Sequence, residues 1–198
     1  MEKIFDCLIG SFIANQVGIS ENFLSVALAA HLKENLNNIF QNDEFLHAGI
    51  GNNILAERNK LIRSDVIYWL DREHDNQYEN EFFDLMDQFV SYLNRTCYTG
   101  ITGYEFHYTL YLPGTFYKKH IDQFRNNGSR QYSMIMYLNA DWKPSDGGEL
   151  CIYQEGIQQH ISPDSGKSVF FKSADLHHEV LVTNKHRMSI TGWLKVDE

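Results

Sequence analysis

Apolar and polar positions change their period near residue 100. Before that point the apolar residues recur every third or fourth position. Leu24, Leu28, Leu32, Leu36 and Ile39 form one stripe, which predicts a helix with one buried face. Ser20-Glu21 reads as its start, and Asn37-Asn38 with Gln41-Asn42-Asp43 as its stop, so the predicted span runs to about Phe40. A second helix is predicted from Glu79 to about Leu93, with Phe82, Met86, Phe89 and Leu93 on one side. Both stripes read as faces that pack against a sheet. After residue 100 the chain breaks into strand-like runs at Thr102–Leu112, Gln131–Leu138, Glu149–Tyr153, Ser168–Lys172 and Arg187–Leu194. Turn signals divide them: Pro113-Gly114, Asn126-Asn127-Gly128, Asp146-Gly147-Gly148 and Pro163-Asp164-Ser165-Gly166.

Helices first and many short strands after predict an α+β, mainly β chain, an antiparallel sandwich or barrel buttressed by N-terminal helices. The last strand supports this. Arg187, Ser189, Thr191 and Trp193 share one face, and Met188, Ile190, Gly192 and Leu194 the other. The first set suits a barrel interior that receives a ligand, and the second suits an outer face covered by helices. The chain has 198 residues, no linker and no repeat, so a single domain over 1–198 is expected. Residues 1 to about 100 form its helix-rich support and about 101–198 its β core.

Composition narrows the function. Lys plus Arg number 17 against 26 Asp plus Glu, a formal charge of -9, which argues against nucleic-acid binding through phosphate neutralisation. The three cysteines, Cys7, Cys97 and Cys151, have neither zinc nor disulfide spacing, and a reducing cytoplasm is the expectation. No signal peptide or membrane span is expected, and a monomer is the simplest assembly.

The candidate chemistry lies in an ordered set: His120, Asp122, His178 and Arg187. Residues two apart on a strand share a face, so His120 and Asp122 can grip one ion. A distant histidine completes a two-histidine, one-carboxylate face, which leaves positions open and suits Fe(II) that activates oxygen. Arg187 offers a two-pronged salt bridge to a carboxylate. His177 and His178 are adjacent and face opposite ways on a strand, so only one can be the ligand; His178 is favoured. His31, His47, His74, His107, His160 and His186 read as surface or structural; for His107, which shares strand parity with Tyr111, a place in the pocket is the alternative. Lys118, Lys119, Arg125 and Arg130 make a local positive cluster around the His-x-Asp, either solvated or attracting an acidic ligand.

The segments IRSDVIYWL (62–70), YLPGTFYKKHID (111–122), YLNADW (137–142), GGELCIY (147–153), HHEV (177–180) and RMSITGW (187–193) resemble the 2-oxoglutarate- and Fe(II)-dependent oxygenases. Within these the likeness is to the prolyl 4-hydroxylase branch, which includes oxygen-sensing hydroxylases and their bacterial relatives. It covers roughly residues 55 to 196. The resemblance implies a double-stranded β-helix (jelly-roll, cupin-like) core, and Fe(II), 2-oxoglutarate and dioxygen as cofactors, with ascorbate in support. His120, Asp122 and His178 match its iron ligands, and Arg187 its 2-oxoglutarate arginine. Tyr111 and Tyr137 match tyrosines of that pocket; Thr191 and Trp193 match residues close to metal and co-substrate. Arg130 matches an arginine at the substrate mouth. Arg63, Ser64 and Asp65 match a mobile substrate-closing segment, so a lid from about Ala56 to Asp71 is expected. Serine stands where the animal enzymes have glycine, which stiffens that point. The implied activity is 4-hydroxylation of proline in a protein or peptide, with a translation factor such as elongation factor Tu as a plausible target and no nucleic-acid or membrane partner. The alternatives are a same-fold oxygenase acting on a free amino acid or other small molecule, and a non-catalytic binding module. Nucleic-acid demethylation ranks low, because the second arginine of those repair enzymes is Trp193 here.

Overall fold

The computed structural model describes residues 1–48, 62–123, 127–154 and 156–196. In chain order the elements are α1 (Glu2–Asn15), β1 (Val17–Ser20), α2 (Val26–Gln41), β2 (Leu46–His47), β3 (Val66–Trp69), α3 (Gln77–Cys97), β4 (Gly103–Tyr111) and β5 (Tyr117–His120). There follow β6 (Arg130–Tyr137), β7 (Leu150–Gln154), β8 (Ile157–Ile161), β9 (Ser168–Lys172), β10 (His177–Val180) and β11 (Arg187–Lys195). A seven-stranded sheet runs β1-β9-β6-β11-β4-β3-β2 and a four-stranded sheet runs β5-β10-β7-β8. All pairings between these strands are antiparallel. The two sheets make the jelly-roll core expected of the sequence, with the helices on the outer side of the larger one. Among the described residues no helix is long and apolar enough to cross a membrane.

Strand alternation divides the core in two. Met188, Ile190 and Leu194 of β11, with Met134 and Met136 of β6, point to the helices and join Leu28, Leu32, Leu36, Phe82, Met86 and Phe89 in one cluster. Ile135 and Tyr137 point the other way, into a second cluster with Leu150, Ile152, Phe171 and Val180 between the sheets.

The helix boundaries differ from the sequence expectation for local reasons. α2 starts at Val26, because Val17–Ser20 is committed to pairing with β9 and Ser25 is the cap; its hydroxyl accepts from the Leu28 N–H at 3.1 Å. α3 is longer than predicted, opened by the Asn76 side chain, which accepts from the Tyr78 and Glu79 N–H groups. α1, with only Phe5, Leu8 and Ile9 buried, carries too thin a stripe to stand out. β5, β8 and β10 read Tyr-Lys-Lys-His, Ile-Gln-Gln-His-Ile and His-His-Glu-Val, too short and polar to be picked out by pattern.

One glycine is required by packing. Gly192 lies opposite Phe106 across β11 and β4, and a Cβ there would stand 2.2 Å from both the Glu105 carbonyl oxygen and Phe106 Cδ1. Gly192→Ala should therefore destabilise the fold by about 1–3 kcal/mol or more, as overpacking does. Urea unfolding checks this, and an unchanged midpoint would contradict the close approach.

Candidate active site

The antiparallel pairing of β10 with β5 sets His178 directly across from His120. β5 ends at His120, so Asp122 is not a strand neighbour as the His-x-Asp argument supposed. The bend after the strand carries it in instead. Asp122 Oδ1 lies 3.4 Å from His120 Nε2 and 3.7 Å from His178 Nε2, and one ligand atom from each residue falls within 4.8 Å of the others. His120 Nδ1 faces the Lys118 carbonyl at 2.7 Å and His178 Nδ1 the Leu176 carbonyl at 3.1 Å. A carbonyl only accepts, so each Nδ1 holds the proton and each Nε2 turns a lone pair to the centre. Asp122 Oδ2 accepts from Ser133 Oγ at 2.7 Å. Burial pushes the Asp122 carboxyl up, but His178, His120 and the Ser133 hydroxyl outweigh it and hold it well below the usual carboxylate range. Burial takes His178 down to about 4, which keeps it neutral. Two imidazole lone pairs and an ionised carboxylate on one face fit a divalent iron ion. His177 is exposed and turned away.

Arg187 lies at the other end of the pocket, 1% exposed. Its Nε donates to the Gly148 carbonyl at 2.7 Å. Its guanidinium carbon is 5.1 Å from the Tyr111 ring centre and 5.0 Å from that of Tyr137. Gly148 has φ +70, and a Cβ there would stand 3.1 Å from Arg187 Cδ, so the glycine lets the side chain pass. Arg187 Nη2 and Tyr137 Oη are buried without a hydrogen-bond partner. An orphaned, charged donor in the pocket, with a second orphaned donor on the tyrosine packed against it, fits an incoming carboxylate.

The inward residues of β4 and β11 pair as rungs from Arg187 outward: Arg187 with Tyr111, Ser189 with Thr109, Thr191 with His107, and Trp193 with Glu105. At the outermost rung the Arg130 guanidinium lies 3.4 Å over the Trp193 ring and bonds Glu105 at 2.7 Å. His107 lines the pocket and is fully enclosed. Its Nδ1 faces the Tyr108 carbonyl at 3.1 Å and the Thr109 hydroxyl at 2.9 Å, so Nε2 is the acceptor. Strand parity alone pointed to it. Sequence reasoning missed Ser133, which orients Asp122, and Tyr117, whose ring stacks on His120 at 3.6 Å. A tyrosine three residues before a ligand was the available signal.

The expected lid falls partly outside the described residues, at 56–61. Its described part is tied down. Lys118 N–H donates to the Ile62 carbonyl at 2.9 Å and Ser64 N–H to the Phe116 carbonyl at 3.2 Å. Ser64 Oγ accepts from the Phe116 N–H at 3.1 Å, so the serine adds bonds that a glycine lacks. Arg63 grips both oxygens of Asp65, at 2.7 and 2.9 Å. Arg63 lines the pocket with the metal ligands, whereas Asp65 lines a neighbouring cleft with His47 and Ala48. Of the positive cluster, Lys119 lies over the Tyr153 ring at 3.8 Å, and Arg125 is outside the described residues.

Acid stability follows from His107. Burial first, then the Arg63 charge, lowers its pKa from 6.5 to about 4. Between those values the unfolded chain binds a proton that the folded chain refuses, so acidification through this window destabilises the fold. His107→Phe should make the loss from pH 6.5 to 4 smaller by ~2–3 kcal/mol. Unfolding midpoints across that range measure it, and an unchanged pH slope would show that His107 is not buried neutral.

Residues 106–195 match the family described as the 2OG-Fe(II) oxygenase superfamily. A PKHD-type hydroxylase of Picosynechococcus is 33% identical over 91 residues, 44% of this chain and 40% of that protein; the match thus spans well under half the length of this curated relative. A prolyl-4-hydroxylase structure from Pseudomonas putida is 28% identical with TM-score 0.88, covering 98% of this chain and 100% of that one. A Trichoplax adhaerens prolyl hydroxylase, solved with a hypoxia inducible factor peptide fragment, has the same fold at TM-score 0.88 and 24% identity, over 98% and 90% of the two chains. With its His-Asp-His face and its jelly-roll core, the chain is similar to the 2-oxoglutarate and Fe(II) oxygenases over residues 106–195, and in its whole fold to prolyl hydroxylases.

Proposed function

We propose that the protein is a 2-oxoglutarate- and Fe(II)-dependent dioxygenase that hydroxylates proline at C4 in a protein or peptide. The observation that carries the reading is one pocket that holds both a facial set of ligand atoms at His120, Asp122 and His178 and the Arg187 guanidinium with an orphaned Nη2, the orphaned Tyr137 hydroxyl belonging to the ring packed against that guanidinium. His120 Nε2, Asp122 and His178 Nε2 would hold the iron. Arg187 would take the far carboxylate of 2-oxoglutarate, with the Tyr137 hydroxyl donating and the Tyr111 ring as a wall. When bound, the iron and 2-oxoglutarate supply oxygen activation coupled to loss of carbon dioxide, leaving succinate and an added hydroxyl. The chain's own part is to position both, to keep Asp122 ionised and His178 neutral, and to close the space with Thr191, Ile135 and Trp193.

The substrate reading rests on the likeness to the Pseudomonas putida prolyl-4-hydroxylase along the whole chain. The mouth agrees with it. Trp69, 44% exposed, stands edge-on to His107 at 5.0 Å beside Trp193 and the Arg130–Glu105 pair. A proline segment is already partly extended and loses little entropy on docking there. His107 Nε2 would accept from a substrate N–H, and Arg130 would meet the peptide at the rim. A translation factor such as elongation factor Tu is the first protein to try. The test supplies Fe(II) and 2-oxoglutarate with a proteome extract of the source cells, follows succinate, and maps added oxygen on proline by tandem mass spectrometry. Oxygen on proline C4 is expected; succinate driven only by a free amino acid or other metabolite would replace this substrate with a small molecule.

Arg187→Ala should raise the 2-oxoglutarate requirement by an amount equivalent to about 2–5 kcal/mol, the usual effect of truncating one partner of a buried charge pair. Metal affinity should barely change. Arg187→Lys should recover only part, because lysine offers a point charge and not a fork. Titration of 2-oxoglutarate into each variant decides, and an unaltered affinity in Arg187→Ala would remove Arg187 from the site.

A further inference from the structure

We infer that Tyr117 is a positioning residue for the metal ligand His120, and that the Arg63–Asp65 pair backs it, so that residues 62–65 and the metal centre are held as one unit. The inference rests on the metal-centre reading above.

The two histidines of the centre are supported differently. The His178 side chain is 4% exposed and has Phe171 at 4.9 Å. The His120 side chain is 15% exposed and lies at the end of its strand. Its Nδ1 bond to the Lys118 carbonyl fixes the tautomer. Rotation of an imidazole about its terminal torsion is soft, so one hydrogen bond does not set the ring plane well. Tyr117 supplies what is missing: its ring lies 3.6 Å from the His120 ring, inclined by 13°.

Tyr117 is itself held from the other direction. It bridges Arg63 in an antiparallel pairing, and the Arg63 guanidinium carbon lies 4.7 Å from the centre of its ring. Arg63 cannot swing away freely. Both Asp65 oxygens are bound to it, and Asp65 is 1% exposed, so departure would leave a buried carboxylate unpaired. Backbone bonds at Ile62 and Ser64 fasten the same segment to Phe116 and Lys118. The sequence of constraint is thus carboxylate, guanidinium, phenol ring, imidazole. By linkage, whatever steadies one end steadies the other: metal at the centre should order 62–65, and displacement of Arg63 should loosen the metal.

The test uses the full chain with Mn(II) as a redox-stable stand-in for Fe(II), followed by the electron paramagnetic resonance of the free ion. Tyr117→Leu should weaken Mn(II) binding by about 10-fold or more, the usual effect of losing a group that orients a ligand. Tyr117→Phe keeps the ring and should stay close to wild type. Arg63→Gln is the discriminating variant. Charge alone predicts tighter Mn(II), because a nearby cation has gone; positioning predicts weaker binding. Should Tyr117→Leu fail to fold, amide exchange of the wild type answers instead: Mn(II) should raise the protection of Ser64 and Lys118. Wild-type affinity in Tyr117→Leu, tighter binding in Arg63→Gln, or unchanged protection each overturns the inference. Mn(II) bound by wild type and lost in His178→Ala supports the centre itself; no binding by wild type removes the centre and this inference with it.

Discussion

The register between β10 and β5 is the constraint on which the centre depends. Side chains alternate along a strand, so a slip of one residue would turn His178 out and His177 in. β10 is therefore pinned on both edges, with His178 across from His120 on one side and from Ile152 on the other. Ile152 and Val180 lie in the inter-sheet core, so a slip would also expose apolar groups. The hydrophobic pattern of a four-residue strand and its neighbour thus decides which histidine joins His120 and Asp122. That is how a core with no chemical role of its own specifies a chemical one.

The pocket combines costs that a purely structural core would avoid. A guanidinium is buried with one nitrogen unpartnered, and a carboxylate is buried between two imidazoles. Unpaired buried charge is expensive, and partial compensation is visible at both ends. At Arg187 it comes from a backbone carbonyl and two aromatic faces. At Asp122 it comes from the Ser133 hydroxyl, itself bonded to Ser173 at 2.9 Å. What stays uncompensated is what a dication and a dicarboxylate would supply, so each ligand relieves a specific deficit in the folded chain.

Much of this was legible in the sequence, in proportion to how strongly each segment repeats. β11 was legible to its faces, because Arg187 to Ile190 alternate polar and apolar and the faces carry on through Thr191 and Trp193 on one side and Gly192 and Leu194 on the other. β9 was predicted at its observed bounds. α2 was placed early, since Leu24 keeps the helical spacing although β1 and the Ser25 cap exclude it from the helix. β5 and β10, which carry His120 and His178, were not legible as strands, because both are short and mostly polar. His120, Asp122 and His178 were singled out through order, spacing and resemblance instead, and the fold brings the three together. Asp122 does join the two histidines, but a bend and not strand alternation brings it in. Tyr117 was hidden because nothing local distinguishes a stacking tyrosine from a packing one. Arg63 and Asp65 read as substrate contacts, and their mutual pairing needs the three-dimensional neighbourhood of Phe116 to become visible.

The larger sheet separates stability from chemistry along a single strand. Met188, Ile190 and Leu194 serve the helix-side core, while Arg187, Thr191 and Trp193 serve the pocket. Gly192 lets Phe106 cross β11 toward Phe82, 5.1 Å away and perpendicular. The helices therefore clamp the back of the strand whose front holds the pocket, and cores of this density transmit displacement rather than absorb it. A shift of β11 to relieve crowding at Gly192 would carry Thr191 and Trp193 with it. Substitutions on the helix side should then disturb the pocket through the strand, even though no atom of theirs reaches it.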